Sequence, residues 1–390
     1  MRPVALVLVV LAVLFAGAAH AQANKADIVL GFDFEANSKP WQALDQQAQL
    51  GLTADAEHVR EGTSALELKY TQRPFPQAGQ QGAPPGAVMV PIEGVLVGAK
   101  TLHFSIKAAR QTAIVVSLSE PNDRNYQTPV WVPANQWVDV DLPLSALILD
   151  RNQKPDPDGK LDMNQVHSLA FIDAAPFFYA LAESGMIPLA KRTLGEQTVW
   201  LDNVQFLSTA LPEDKPAKPV ADGEAVIIDT CRHSFSQWPC LGGENVAISE
   251  SPGDGGDPGL KLTYTTPAGT IVPMMRMIEH GQLAGTKRLE FDAKVAVDTT
   301  LMLGLEQDIE PKPAQGDGKA RFMTQVQLKA ADGWKRVVVP YTDLKQDQKE
   351  QPVAMNAAMC SGLIVADMTG AVTAKPQANT LQIDDVVAVK

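Results

Sequence analysis

Short segments in which apolar and polar residues alternate recur along most of this chain. Residues 65–70, 102–107 and 137–142 are examples, with an apolar side chain at every second position. Side chains of a β-strand point alternately to the two faces of a sheet, so this period predicts strands with one buried face. Turn-forming residues, among them 28 Gly and 28 Pro, separate the segments, and few stretches have a helical period. The chain is therefore predicted to be all-β and built of antiparallel β-sandwiches.

One predicted strand occurs twice. Residues 197–206 (QTVWLDNVQF) have a near copy at 379–388 (NTLQIDDVVA), and in each copy an acidic residue, Asp202 or Asp384, interrupts the alternation. Seven further segments of the first half recur in the same order in the second half. This order predicts two copies of one unit.

The N-terminus has the composition of a secretory signal peptide. Residues 1–21 contain a positive charge at Arg2, an apolar run over 4–15 and the small-x-small site at 19–21. The run is shorter than the roughly 20 residues of a spanning helix, and no later stretch is apolar for long enough. We therefore expect an exported chain with no membrane span after cleavage, located in the periplasm or outside the cell.

Composition also sets the domain limits. Three prolines among charged residues mark 209–223 as a semi-extended linker between domain 1 (22–208) and domain 2 (224–390). The formal net charge of −12 argues against nucleic acid as a partner, because phosphate is repelled.

The three cysteines become interpretable if the chain is exported, because an oxidising compartment permits disulfides. Cys231 and Cys240 flank a short turn. A disulfide between them is one interpretation, and two reduced thiols are the other. Cys360 stands among apolar residues and is predicted to be a buried thiol.

The order of several motifs resembles the galactose-binding-domain-like family of jelly-roll modules, which includes many carbohydrate-binding modules of secreted bacterial enzymes. The motifs are FDFE at 32–35, EGTSALEL at 61–68, WVDVDL at 137–142 and LDNVQF at 201–206. The resemblance covers nearly all of domain 1 and, more loosely, domain 2. It implies two tandem jelly-roll domains.

The same resemblance implies a structural Ca²⁺ in domain 1. Asp33, Glu35 and Asp202 occupy the matching positions, and carboxylate oxygens are ligands that Ca²⁺ prefers. Asp229 and Asp384 are a partial equivalent in domain 2. The alternative is that these acids cap turns or face solvent.

A sugar site requires aromatic rings that stack on pyranose faces and side chains that hydrogen-bond hydroxyls. Tyr126 and Trp131, with Arg124 and Asn125 beside them, are the candidates in domain 1. They lie in 120–133, which is predicted to be a polar loop leading into a strand. The alternative is that Trp131 belongs to the core.

Domain 1 also has about twelve extra residues, because Asp173 and Asp202 are 29 positions apart whereas Asp367 and Asp384 are 17 apart. The insertion includes the apolar run 176–181. It could form a short surface helix, a lid over a groove or a packed loop, and the packed loop is favoured.

No catalytic motif emerges. The histidines lack metal spacing, and there is neither a nucleophile elbow nor a phosphate loop. We therefore expect no enzyme, but an exported protein that binds polysaccharide or cell-surface glycan through domain 1. The alternative is a structural or adaptor protein of the cell envelope that binds other proteins and has no sugar site.

Overall fold

In the computed structural model of the protein, strands joined by turns make up most of the chain. The structure describes residues 27–74, 86–92, 95–121, 124–150, 156, 159–184, 188–190, 192–212, 215–216, 218–232, 235–240, 246–310, 318–347 and 352–390. The predicted leader, 1–21, lies outside them. Of the helices in this part of the chain, none is long and apolar enough to cross a membrane.

The described residues of domain 1 form twelve strands and one α-helix. The strands are β1 Ile28–Phe32, β2 Gln42–Ala43, β3 Gln49–Thr53, β4 Ala65–Thr71, β5 Ala87–Pro91, β6 Thr101–Ala108, β7 Thr112–Glu120, β8 Arg124–Val132, β9 Val138–Pro143, β10 Ile148–Leu149, β11 Ser168–Asp173 and β12 Glu196–Leu207. Helix α1, Ala175–Ser184, follows β11. Sheet A has the order β3-β4-β12-β6-β9, with β1 also paired to β12, and sheet B has the order β10-β8-β7-β11-β5-β2.

In domain 2, the part of the chain that the structure describes forms eleven strands and a shorter α-helix. The strands are β13 Ala225–Asp229, β14 Val246–Pro252, β15 Pro258–Thr266, β16 Val272–Met277, β17 Arg288–Val295, β18 Thr299–Asp308, β19 Lys319–Leu328, β20 Lys335–Pro340, β21 Lys345–Gln346, β22 Cys360–Asp367 and β23 Gln377–Val389. Helix α2, Thr369–Thr373, follows β22. Sheet C has the order β14-β15-β23-β17-β20, with β13 also on β23, and sheet D has the order β16-β22-β18-β19-β21.

The predicted fold class is confirmed: the protein is two tandem antiparallel β-sandwiches of jelly-roll type. The first and last strands of each domain pair with each other, β1 with β12 and β13 with β23. The alternation explains the burial. In β9, Val138, Val140 and Leu142 are buried in the core while the aspartates between them are half-exposed.

The two copies also share their irregularities. Where the acidic residue interrupts the alternation, both last strands shift register against the neighbouring strand. Asn203 and Asp385, which follow Asp202 and Asp384, both have positive φ, at 49° and 47°. The repeated stretch therefore encodes a β-bulge in each domain, and the acidic residue marks it.

Two local expectations were wrong. The segment predicted as a polar loop is mostly strand, because β8 begins at Arg124 and pairs along its whole length with β7. The insertion is a ten-residue helix, α1, and not the favoured packed loop.

The domains are in direct contact. Trp131 and Phe178 of domain 1 belong to the same buried cluster as the core of domain 2. The backbone N–H of Ile271 in domain 2 donates to the carbonyl of Pro188, 2.9 Å away, just after α1. Sheets B and D thus face a common boundary between the domains.

Candidate ligand-binding cleft between the domains

The four residues predicted to bind a ligand in domain 1 do not form one site. Alternation places Tyr126 on the inner face of β8, where it is 2 % exposed and packs in the domain 1 core. Its hydroxyl donates to Asp156. Tyr126 therefore cannot stack on a sugar.

Trp131 points to the opposite face of β8, away from the domain 1 core. It is fully buried, because domain 2 covers it, and its ring belongs to the domain 2 cluster. The guanidinium carbon of Arg192 lies 6.0 Å from the centre of the ring. Trp131 is thus an interdomain packing residue and not an exposed platform.

The two polar members of the predicted set make local contacts. Arg124 lies 3.4 Å from a carboxylate oxygen of Asp156 and 4.0 Å from one of Glu120. Asn125 accepts a hydrogen bond from the Ser119 hydroxyl across the β7–β8 pair. Neither side chain lines the cleft described below.

The residues expected to hold Ca²⁺ do not fit that role. Glu35 accepts hydrogen bonds from the backbone N–H and hydroxyl of Thr63, and these lower its pKa. Asp202 accepts from the N–H groups of Arg60, Glu61 and Asn203. The positive ends of these N–H groups surround the carboxylate oxygens that a cation would need. Among the described residues, no three His, Cys, Asp or Glu side chains converge as a metal site.

Asp33 does not complete a calcium site either. It is exposed, and its carboxylate caps a turn by accepting from the N–H of Glu35 at 3.2 Å. In domain 2, Asp229 accepts from Trp238 Nε1 at 3.0 Å and contacts Arg276 at 2.9 Å. The matching acids of both domains therefore already have protein partners.

The disulfide between Cys231 and Cys240 is absent. Both cysteines are buried, and neither they nor Cys360 form a disulfide. Cys231 follows β13 of sheet C, whereas Cys240 is bridged to Met274 in sheet D. A short spacing in the sequence therefore does not by itself give two cysteines the relative geometry that a disulfide requires.

The boundary between the domains contains a cleft of about 370 Å³. Domain 1 supplies one side from β7, β8 and α1, and domain 2 supplies the other from β16, β18 and β19. The apolar lining includes Val115, Pro129, Phe177, Met275, Met277 and Ile309. The polar lining includes Gln127, His280, Glu306, Asp308, Lys319 and Ser361.

Helix α1 presents the exposed aromatic ring of this cleft. Phe178, 6 % exposed, anchors the helix in the domain 2 cluster. Phe177, the preceding residue, is 51 % exposed and lines the cleft, with its ring 5.7 Å from that of Phe178 in an edge-on arrangement. The anchored neighbour holds Phe177 in place at the rim.

The polar side of the cleft is an ion-paired network on sheet D. Glu306 and Asp308 alternate on β18 and lie directly opposite Arg321 and Lys319 of β19. Asp308 also contacts His280 Nε2 at 2.6 Å. Burial would raise the pKa of Asp308, but the hydrogen bonds from His280 and Lys319 outweigh it and lower the pKa to about 2. This side therefore presents fixed, ionised groups.

Several solved structures are similar to this protein in fold. No protein-family model matches the chain, and no curated protein matches it. The family 11 carbohydrate-binding module from Clostridium thermocellum, solved with a β-1,3-1,4-mixed-linked tetrasaccharide, is 14% identical; the match covers 44% of this chain and 97% of that one, with a TM-score of 0.35. A tandem of family 22 modules from Paenibacillus barcinonensis Xyn10C is 14% identical, with coverage of 95% and 99% and a TM-score of 0.31. A family 30 module of a Clostridium thermocellum cellulosomal cellulase is also similar, at 14% identity, coverage of 38% and 83%, and a TM-score of 0.29.

The cleft residues could have been found in part from the sequence. Acidic residues two apart at 306 and 308, and basic residues two apart at 319 and 321, predict complementary faces of two paired strands. The apolar run 176–181 of the insertion indicated the residues that form the aromatic side of the cleft. The alternation does not reveal that these two features meet, because they belong to different domains.

Proposed function

We propose that the protein is an exported, non-catalytic carbohydrate-binding protein whose site is the cleft between the two domains. A pyranose ring has an apolar face and a rim of hydroxyl groups. The cleft offers the matching surfaces, an exposed Phe177 ring beside Met275 and Met277 and a polar wall of fixed donors and acceptors. This pairing of an aromatic platform with hydrogen-bonding groups is the observation that carries the proposal.

The proposed site differs from the prediction made from the sequence, which confined glycan binding to domain 1. Gln127 and Phe177 belong to domain 1, whereas Met275, Asp308 and Lys319 belong to domain 2. A saccharide in the cleft would contact both domains, so binding requires the two-domain protein.

The surroundings of Asp308 support binding over hydrolysis. Glycoside hydrolysis uses a carboxylic acid whose raised pKa keeps it protonated. The pKa of Asp308 is lowered to about 2, and Glu306 is ion-paired with Lys319 and Arg321 at 3.4 and 3.1 Å. Asp308 therefore lacks the environment of a general acid.

The test is binding of the full mature chain to neutral oligosaccharides, such as β-glucan, xylan and mannan fragments, measured by titration calorimetry. Replacing Phe177 by alanine removes the stacking ring, so we expect about a tenfold loss of affinity for the saccharide that binds. The melting temperature should stay unchanged, because the ring is half in solvent.

A matched control is Val372→Ala. Val372 is 62 % exposed on α2, the helix of domain 2 that corresponds to α1, and it does not line the cleft. We expect no change in affinity. Retention of full affinity in Phe177→Ala would contradict the cleft as the site. Absence of binding to every saccharide would favour the adaptor function.

A further inference from the structure

We propose that Gln127 is the specificity-determining residue of the cleft and that it selects neutral sugars with free hydroxyl groups on two adjacent ring carbons. This inference rests on the proposed function, because it names the ligand class and the selecting residue of the same cleft. Gln127 lines the cleft, and its side chain forms no hydrogen bond with any of the described residues. A ligand therefore meets this amide without a competing protein partner.

The other polar side chains of the lining already have partners. Asp150 and Glu310 interact with other residues of the chain. The rest are joined by hydrogen bonds and ion pairs in one network on domain 2, formed by His280, Glu306, Asp308, Lys319 and Ser361. A ligand that contacts these groups shares them with the protein, and breaking a partly buried ion pair costs free energy. Among the described polar groups of the lining, Gln127 is therefore the one best placed to discriminate between ligands.

The position of Gln127 on β8 directs its side chain toward the cleft. Alternation puts it on the same face of the strand as Pro129 and Trp131, which is the face that domain 2 meets. Its backbone is paired on both sides, with Ser117 of β7 and with Ile148 of β10. Two neighbouring strands thus hold the residue that carries the amide, as a specific contact requires.

The neighbours of Gln127 on the domain 1 side of the cleft are largely apolar. Pro129 follows two positions along the strand and Ile148 lies directly across from it, and both line the cleft together with Val115 and Phe177. A ligand that fills this side displaces water from the amide. An amide left without a partner then costs free energy, so a ligand that restores its hydrogen bonds is favoured over one that does not.

The chemistry of the amide defines the preferred ligand. Its oxygen accepts hydrogen bonds and its nitrogen donates them, and the two atoms stand side by side. Two hydroxyl groups on adjacent ring carbons are arranged in the same way, and each can donate or accept. One such pair can therefore satisfy both atoms of the amide at once. A sugar in which one of the two hydroxyls is substituted by an O-methyl group loses a donor and cannot complete the pair.

The experiment uses the full mature chain and hexasaccharides of cellulose, xylan and mannan, all of which carry adjacent free hydroxyls. Each is compared by titration calorimetry with a derivative in which one hydroxyl of every adjacent pair is O-methylated. For the parent sugar that binds, we expect an affinity about tenfold higher than that of its methylated form, since at least one hydrogen bond of the amide is lost.

Gln127→Met assigns this preference to the amide, because methionine has a similar length but neither a strong donor nor a strong acceptor. We expect the parent sugar to lose about tenfold in affinity and the methylated sugar to lose less than about twofold. Gln325→Met is the matched control, because Gln325 is exposed on β19 of domain 2 and does not line the cleft. It should leave both affinities unchanged.

The outcomes separate this inference from the proposed function. Full affinity of Gln127→Met for the parent sugar would overturn the role of Gln127 while leaving saccharide binding intact. Equal losses for the parent and methylated sugars in that variant would also overturn it, because Gln127 would then act through packing and not through the hydroxyl pair. No binding of any of the hexasaccharides to the unmodified chain would overturn the proposed function itself.

Discussion

Apart from the additional edge strand β2 of domain 1, the two domains share one strand order, but they differ in the helix that follows the strand ending at Asp173 or Asp367. Domain 1 has the ten-residue α1, whereas domain 2 has the five-residue α2. Phe178 of α1 is buried against domain 2, but Val372 of α2 is exposed. The duplicated unit has thus kept its core and changed one connection, and that connection both joins the domains and supplies the ring of the cleft.

The β-bulges show a second difference. In domain 1, Arg60 from a turn pairs with Asp139 on β9. In domain 2, Arg336 on β20 pairs with Asp292 on β17 at 3.0 Å, and Lys218 from the linker reaches Asp254. The ion pairs beside the two bulges therefore take their cations from different elements.

Of the changes that test the difference between the two domains, Trp131→Ala should have the largest effect on stability. Truncation of a buried tryptophan leaves a cavity, here between the domains, and we expect a loss of about 3–5 kcal/mol in the free energy of unfolding by denaturant. Trp137→Ala is the control, because Trp137 lies in the next turn and is half-buried. Equal losses in the two variants would contradict the role of Trp131 as the interdomain anchor.

The buried tyrosine–aspartate pairs test how alike the two cores are. Tyr70 donates to Asp173 at 2.6 Å, and Tyr264 donates to Asp367 at 2.7 Å. Asp173 also accepts from Gln72, Thr112 and the N–H of Ala175, whereas Asp367 accepts from Asn379 and the N–H of Thr369. Without the tyrosine hydroxyl, Asp173 would therefore keep three hydrogen-bond donors and Asp367 would keep two.

Replacing Tyr264 by phenylalanine should lower the free energy of unfolding by about 1.5–3 kcal/mol, since a hydrogen bond to a buried carboxylate is lost. The same change at Tyr70 should have a smaller effect, because three donors still hold Asp173. Chemical unfolding of both variants measures the difference. A larger loss in Tyr70→Phe would show that the donor count does not govern the two sites.

Alternation and repetition were sufficient to predict the fold. The strands with strict alternation, such as β4, β6 and β9, occur where the sequence indicates, because a buried face imposes period two. The β-bulge at Asp202 was visible in the sequence as an interruption of the apolar–polar alternation. Strand β8 was missed at its start, because Tyr126 is the one aromatic residue among Arg124, Asn125 and Gln127, so the pattern there resembles a polar loop.

The site could be predicted only in part. Trp131 lies on the face that meets domain 2, but alternation does not show that another domain covers that face. The disulfide predicted from the short spacing of Cys231 and Cys240 is absent, because spacing along the chain does not fix the relative geometry of the two side chains. Contacts between elements distant in sequence decide both outcomes.

The smallest expected effect is on the pH dependence of stability. Asp384 and Asp308 of domain 2 should change it in opposite directions. Burial, and then the charge of Asp385, raise the pKa of Asp384 to about 6. A carboxyl group whose pKa is raised by folding stabilises the fold less as pH rises from its unfolded value, about 4, to about 6. Asp308, with its pKa lowered to about 2, has the opposite sign: its contribution is complete above about pH 4 and is lost as pH falls toward 2.

Thermal unfolding between about pH 2 and 8 should therefore show two limbs that meet near the ordinary carboxyl pKa of about 4. Asp384→Asn should flatten the limb above that pH, and Asp308→Asn should flatten the limb below it, whatever each substitution does to the absolute melting temperature. Domain 1 supplies the internal comparison, since burial also raises the pKa of Asp202, at the equivalent bulge, and Asp202→Asn should flatten the upper limb as well. An upper limb unchanged in Asp384→Asn would show that the bulge carboxylate does not take up a proton on folding, and the equivalence of the two bulges would then be one of backbone geometry alone.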